Sequence, residues 1–215
     1  MSAMPDALAA PAVASPEDQA RADFYALLAR LYLDAPDAAL LTAIASAQAL
    51  SSEGAAGSEG VVGLPAAWDA LREASAVANA RSTREEYDLL FVGVGRSEVN
   101  LHASHWLTGF MMEKPLVEVR AALAAMGLTR REGIIVVEDH IAPLFETMRL
   151  LVAGNDNRPP ATLAEQKAFH DRHIAPWIGR CCTAIVQSPV ANYYRRVAQL
   201  TDSYMAVERD SLAME

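Results

Sequence analysis

Cysteine is almost missing from this chain: 215 residues contain two, and they are neighbours, Cys181 and Cys182. Adjacent cysteines rarely pair with each other, so no disulfide framework is available and a reducing compartment is expected. No second Cys or His set stands at ligand spacing from them, which leaves small buried residues on a helix as the simpler reading. Basic charge is also short, with 18 Lys and Arg against 27 Asp and Glu and a formal net charge of −9. A basic stripe is lacking, so nucleic acid is not an expected partner. An acidic surface would instead attract a basic partner or peptide. No window reaches the roughly 20 apolar residues that a membrane span needs, which argues against stable membrane insertion. The first 20 residues lack a positive segment followed by an apolar one, so they do not read as a secretory signal. The expected location is cytoplasmic.

Runs of β-branched residues are few, while apolar residues make up 52% of the chain, with many Ala and Leu. That balance favours helix over sheet, and the length can bury a sizeable core. The expected organisation is a disordered segment over 1–14 and one all-α domain over 15–210, a bundle of about nine helices. Ser15-Pro16-Glu17-Asp18 reads as a helix start, with a Ser cap, Pro in the first turn and acids beside it. Asp34-Ala35-Pro36 ends that helix, a short one follows to about Leu50, and the Gly/Ser-rich stretch 51–63 is an expected flexible linker loop.

Pro65 restarts a helix to about Ala80. Ser82-Thr83-Arg84-Glu85 has the spacing of a capping box that would place Tyr87, Leu90, Phe91 and Val94 on one face. Gly93 and Gly95 would end that helix. Residues 96–100 read as loop, and residues 103–126 as helix with a break near Pro115 and a stop at Gly127. The short β-branched run in 129–136 has no partner strand and reads as an extended lead-in to the next helix. There Ile141, Leu144, Phe145, Met148, Leu151 and Val152 form a helical stripe stopped by Gly154. Thr162-x-x-Glu165 is a further capping box. The last helix is expected from Ser188-Pro189, with Tyr193, Val197, Leu200, Tyr204 and Val207 in rhythm.

Motifs that carry chemistry are wanting. His170 and His173 share a helical face, but Glu165 stands five residues before His170, and Glu138 two before His140. Neither spacing gives the Glu-x-x-His pairs of a helix-bundle metal site, and no His-Glu-x-x-His is present. Ser104 lies between His102 and His105, but near neighbours on a helix point apart, and no nucleophile elbow accompanies it. Gly93-Val94-Gly95 follows a helix and lacks the Lys-Ser/Thr of a phosphate loop. The Asp139-His140 pair has a local explanation: Glu138 and Asp139 at a helix start favour the positive dipole end and accept from first-turn amides. Phe91, Trp106, Phe110, Met111 and Met112 are more often core than surface. An apolar groove lined by flexible Met, with acids at its rim, would nevertheless hold an apolar peptide with a basic head. A metal-dependent helical-bundle enzyme, or a helical scaffold or regulator with another protein partner, stays open at this point.

Four elements in order carry a resemblance. Tyr87-x-x-Leu90-Phe91, Ser104-x-Trp106, Glu138-Asp139-His140 leading a Phe/Met-rich helix, and His173-Ile174-x-Pro176-Trp177 resemble the TorD/DmsD/NarJ family over residues 24–207. These are cytoplasmic all-helical chaperones dedicated to the maturation of molybdenum enzymes. The resemblance implies a TorD-like single-domain bundle that binds rather than catalyses, with no cofactor and no metal of its own. It implies as partner the signal peptide or apo form of a molybdoenzyme catalytic subunit. The client is held until its cofactor is inserted and, if it is exported, until twin-arginine translocation. It also implies that Tyr87, Leu90, Phe91, Ser104, Trp106, Asp139 and His140 bind the client. Asp139 would meet a basic group, and His140 would hydrogen-bond or orient the loop. Either a monomer or a homodimer is compatible. The family commonly has prolines before the Ser-x-aromatic element and before Asp-His, where this chain has Asn100-Leu101-His102 and Val137-Glu138. TGFMMEKPL and EDHIAPLFETMRLL look closest to members associated with formate dehydrogenases.

Overall fold

Ser15 opens the first helix as its spacing predicts, its side chain accepting from the Asp18 amide at 3.0 Å. The computed structural model describes residues 14–51, 63–93, 97–129 and 136–214. Nearly all of the expected disordered segment and linker loop, Gly95, and most of the 129–136 lead-in lie outside the described residues. Ten α-helices and no strand occur among the described residues. They are α1 Pro16–Leu33, α2 Ala38–Ser46, α3 Leu64–Val77, α4 Ala80–Tyr87, α5 Ala103–Thr108, α6 Lys114–Ala125, α7 Ile141–Ala153, α8 Leu163–His173, α9 Ile178–Gln187 and α10 Tyr193–Ala213. A π-helical turn, Asp88–Val92, prolongs α4. No described helix is long and apolar enough to cross a membrane.

The core is built on α1 against α7, the most extensive helix pair. α1 buries Tyr25, Leu28, Leu31 and Tyr32, and α7 buries Ile141, Leu144, Phe145, Met148, Leu151 and Val152. The Phe145 ring sits 5.8 Å from Tyr25 and 6.3 Å from Tyr32, centroid to centroid. Each such enclosed side chain contributes about 1.5–3 kcal/mol of burial. α10 packs on α3 and α9, and α2 closes over α3. Gly154 stops α7 at φ +68; a Cβ there would stand 2.5 Å from the Arg158 carbonyl oxygen, so only glycine fits.

Local spacing succeeds where the cap is local. The Thr162 hydroxyl accepts from the Glu165 amide at 3.3 Å, and the Glu165 carboxylate accepts from the Thr162 amide at 2.8 Å, a complete capping box. Three other expectations are corrected. Asn79, not Ser82, caps α4, accepting from the Arg81 amide at 2.9 Å, so Ser82–Glu85 lies inside the helix and forms no box. The break after α5 falls at Gly109, φ +82, while Pro115 occupies the first turn of α6, where its missing N–H costs nothing.

The third correction concerns α10, which starts at Tyr193 rather than at Ser188-Pro189. Its cap is Glu86 on α4, whose carboxylate accepts from the amides of Asn192 (2.8 Å), Tyr193 (3.0 Å) and Tyr194 (2.8 Å). Negative charge also suits this helix end. Glu86→Ala is expected to cost about 1–2 kcal/mol, the scale of a lost N-cap, read as a lower urea midpoint with Glu86→Gln in between. Within α10 the rhythm fails once: Val207 is exposed, and Glu208 is fully enclosed in its stead.

Candidate functional site

Between the π turn and α5 the chain passes through a short strap, residues 97–102, which pairs with the start of α7, and its backbone explains how distant motifs come together. The Leu90 carbonyl accepts from the Val99 amide at 2.8 Å, and the Leu101 carbonyl accepts from the Ile141 amide at 2.9 Å. The Asp139 carbonyl accepts from the Ala103 amide at 2.9 Å, and His102 and His140 form an isolated antiparallel bridge. Gly93, at φ +60, closes the π turn by donating to the Asp88 carbonyl at 2.7 Å.

On one side of the strap, Leu90 is fully enclosed and Tyr87 is buried, its hydroxyl donating to the Leu33 carbonyl at 3.0 Å. Phe91 is half-buried, edge-on to Tyr87 at 5.2 Å and to Tyr194 at 5.0 Å. On the other side, Trp106 is half-buried and donates from Nε1 to the Asn100 carbonyl at 2.7 Å. The Arg180 guanidinium lies 6.0 Å from its ring centre. Ser104, Asp139 and His140 are all buried. The strap thus ties the seven residues into one framework, but only Phe91 and Trp106 retain appreciable exposure. The remaining motif is internal: the Trp177 indole donates to the His173 carbonyl at 2.8 Å and the ring is enclosed.

The Asp139-His140 pair divides its labour otherwise than spacing suggested. His140, not an acid, caps α7: its ring Nδ1 accepts from the Ala142 amide at 3.2 Å. Asp139 serves the neighbouring helix, where its Oδ2 accepts from the Ser104 amide at 2.9 Å and the Ser104 hydroxyl at 2.5 Å. Its Oδ1 is buried without a partner among the described residues. Glu138 pairs with Arg120 at 2.9 Å. The His102 and His140 rings meet edge-to-face at 4.9 Å. Burial pulls both imidazoles below their ordinary value, His140 to about 3 with the nearby His102 adding to the shift. His140 is therefore neutral at physiological pH, which keeps Nδ1 free to accept.

Beside this cluster an open groove of about 410 Å³ runs between α1, α7 and the end of α6. Its walls include Ala26, Leu33, Leu123, Ala142 and Leu150, with Arg30, Glu138 and Glu146 contributing charge. None of the seven residues lines it, although Glu138 and Ala142 flank Asp139-His140 in sequence. A larger cavity of about 520 Å³ between α3, α4 and α10 is lined by Glu73, Glu86, Asn192 and Arg196 among others. It is the more polar of the two, and its Glu86 is already committed to α10, so the smaller apolar groove is the better binding candidate.

The family model described as nitrate reductase delta subunit matches residues 61–183, more than half of the chain. The chain belongs to that family. It is a NarJ-type chaperone of redox-enzyme maturation, and members of the family are chaperones rather than enzymes. The match spans α3 to α9 and contains the strap and all seven residues, while α1, α2 and α10 lie outside it. No curated protein matches the chain. Side-chain chemistry agrees with a binding role. The chaperone's Ser104 hydroxyl gives its proton to a carboxylate rather than to a histidine. Its two cysteine thiols are buried and pushed well up by burial, which leaves them poor nucleophiles.

Proposed function

We propose that this chaperone works in the cytoplasm, holding the apolar N-terminal segment of a molybdoenzyme catalytic subunit, as a signal peptide or as part of the apo form, until cofactor is inserted. The observation that carries this reading is the groove between α1 and α7. Its volume, about 410 Å³, falls in the range of roughly 300–1,000 Å³ usual for ligand sites. Its walls are mainly aliphatic; Arg30, Glu138 and Glu146 also line it, the two acids already paired with Arg120 and Arg149. The chain as a whole carries −9. An apolar stretch led by basic residues complements that arrangement, the charges steering encounter and the groove supplying contact. A twin-arginine signal peptide has this pattern.

In this reading Phe91 and Trp106, which do not line the groove but keep partial exposure, touch a part of the client that lies outside it. Tyr87, Leu90, Ser104, Asp139 and His140 form the frame that sets the neighbouring surface. The proposed client is a formate dehydrogenase, on the likeness of TGFMMEKPL and EDHIAPLFETMRLL to chaperones of that class. A nitrate reductase subunit is the comparison, since it gives the family its description.

Calorimetric titration with synthetic N-terminal peptides of the two enzymes tests both points. The formate dehydrogenase peptide is expected to bind the more tightly. Ala26→Phe and Leu33→Glu, which fill or charge the groove at partly exposed positions, are expected to weaken binding about tenfold, some 1.4 kcal/mol, while leaving thermal stability nearly unchanged. Unaltered affinity in both variants would remove the groove from the binding site.

A further inference from the structure

Among the described residues, three consecutive large apolar side chains stand exposed on the turn 109–113 between α5 and α6. Phe110 is 70% exposed, Met112 69% and Met111 40%. The backbone holds them outward. Gly109 stands at φ +82 and Met112 at φ +58, and Met112 is the only described non-glycine residue with positive φ. An L side chain visits that region only when its surroundings impose it.

The restraint is a short chain of hydrogen bonds. The Glu113 amide donates to the Ser104 hydroxyl at 3.3 Å, and the Thr108 hydroxyl donates to the Ser104 carbonyl at 2.8 Å. The Asn100 amide group reaches the Met111 sulfur at 3.3 Å. A serine hydroxyl has one proton, and Ser104 spends it on Asp139 at 2.5 Å. That direction leaves the oxygen lone pairs for Glu113. Asp139 is wholly enclosed and has no surface on which a client could sit.

We propose that Asp139 is a positioning residue which, through Ser104, holds the turn 109–113 in the shape that presents Phe110, Met111 and Met112 to the apolar stretch of the client. The inference rests on the client-binding reading above and replaces a direct contact between Asp139 and a basic group. One client segment can use both surfaces. The turn begins α6 and the groove meets its other end at Leu123. A helix of 12 residues is about 18 Å long, which some six extended residues span.

Three variants of the full chain separate the possibilities. Asp139→Asn keeps an acceptor for Ser104 but removes the charge. Asp139→Ala removes the acceptor, and Ser104→Ala removes the link while sparing Asp139. Two readouts apply: hydrogen exchange at the Glu113 amide in the free protein, and affinity for the client's N-terminal peptide. Asp139→Asn is expected to match the parent in both, within about twofold. Asp139→Ala and Ser104→Ala are expected to raise exchange and weaken binding, each about tenfold, with helical circular dichroism retained. If Asp139→Ala fails to fold, Ser104→Ala carries the same comparison. Loss of affinity in Asp139→Asn with exchange unchanged would overturn the proposal in favour of a charge contact. Parental exchange and affinity in Ser104→Ala would overturn it outright. If the parent protein binds no peptide, the functional reading fails, while exchange still decides whether Asp139 holds the turn.

Discussion

Glu208→Ala is expected to destabilise the fold by about 3–5 kcal/mol, the usual cost of removing one partner from a buried ion pair. Glu208 on α10 is fully enclosed and accepts from Arg21 Nε at 2.7 Å, Arg21 Nη2 at 3.0 Å and the Tyr25 hydroxyl at 2.9 Å. Arg21 is itself only 11% exposed at its side chain, so alanine would leave an enclosed guanidinium with the partly exposed Asp18 as its one carboxylate, at 3.0 Å, and a phenol without an acceptor. The network also ties three helices, since Arg21 Nη2 donates to Gln166 of α8 at 3.0 Å and the Tyr204 hydroxyl of α10 to the Arg21 carbonyl at 2.8 Å. The melting temperature should fall on the order of 10 °C for a chain of this size. Replacing both charges together, as Arg21→Met with Glu208→Leu, should recover most of the loss, because no charge is then stranded. A fall below about 1 kcal/mol in Glu208→Ala would mean that water reaches the pair.

Acid should loosen the junction of α7 with the strap, through His140. Its imidazole is held down to about 3 in the folded chain, by burial first and the nearby His102 second. In the unfolded chain the ordinary value of about 6.5 applies. Between those values the unfolded state binds the extra proton, so stability is fully present above about pH 6.5 and falls as pH drops toward 3. The slope for this one residue is about 1.4 kcal/mol per pH unit, or some 2.7 kcal/mol by pH 4.5. Protonation would also occupy Nδ1, which accepts from Ala142, and would place positive charge at a helix N-terminus. His102 is lowered too, chiefly by burial, and adds in the same direction. His140→Asn supplies a capping acceptor that does not titrate. Urea midpoints at pH 7.5 and 4.5 should therefore converge in that variant by about 2–3 kcal/mol relative to the parent. An equal acid loss in both proteins would locate the sensitivity elsewhere.

Much of the fold could be read from the sequence because its signals are local. The α7 stripe from Ile141 to Val152 and the Thr162–Glu165 box each depend on residues within a few turns. What escaped depends on partners far along the chain. Glu86 caps a helix more than a hundred residues away, and Glu208 is buried because Arg21 waits for it on α1. No periodicity marks a charge that folds inward, so the apolar rhythm pointed to Val207, which is exposed. The same limit applies to the candidate site. Asp139 looks like a cap for its own helix until the strap brings Ser104 beneath its carboxylate. Phe110, Met111 and Met112 read as core by composition, yet a left-handed turn turns them outward. The groove itself draws on Leu33, Leu123 and Leu150 from three helices, and only packing brings those positions together.

The most direct test of client holding is a titration of the full chain with the N-terminal segment of an apo molybdoenzyme catalytic subunit. A second titration would use the same segment with its apolar stretch replaced by Ser and Asn. Saturable one-to-one binding of the first and none of the second is the expected result, with a negative heat-capacity change that marks apolar burial. Equal binding of both segments, or binding of neither, would contradict a chaperone that recognises its client through an apolar groove.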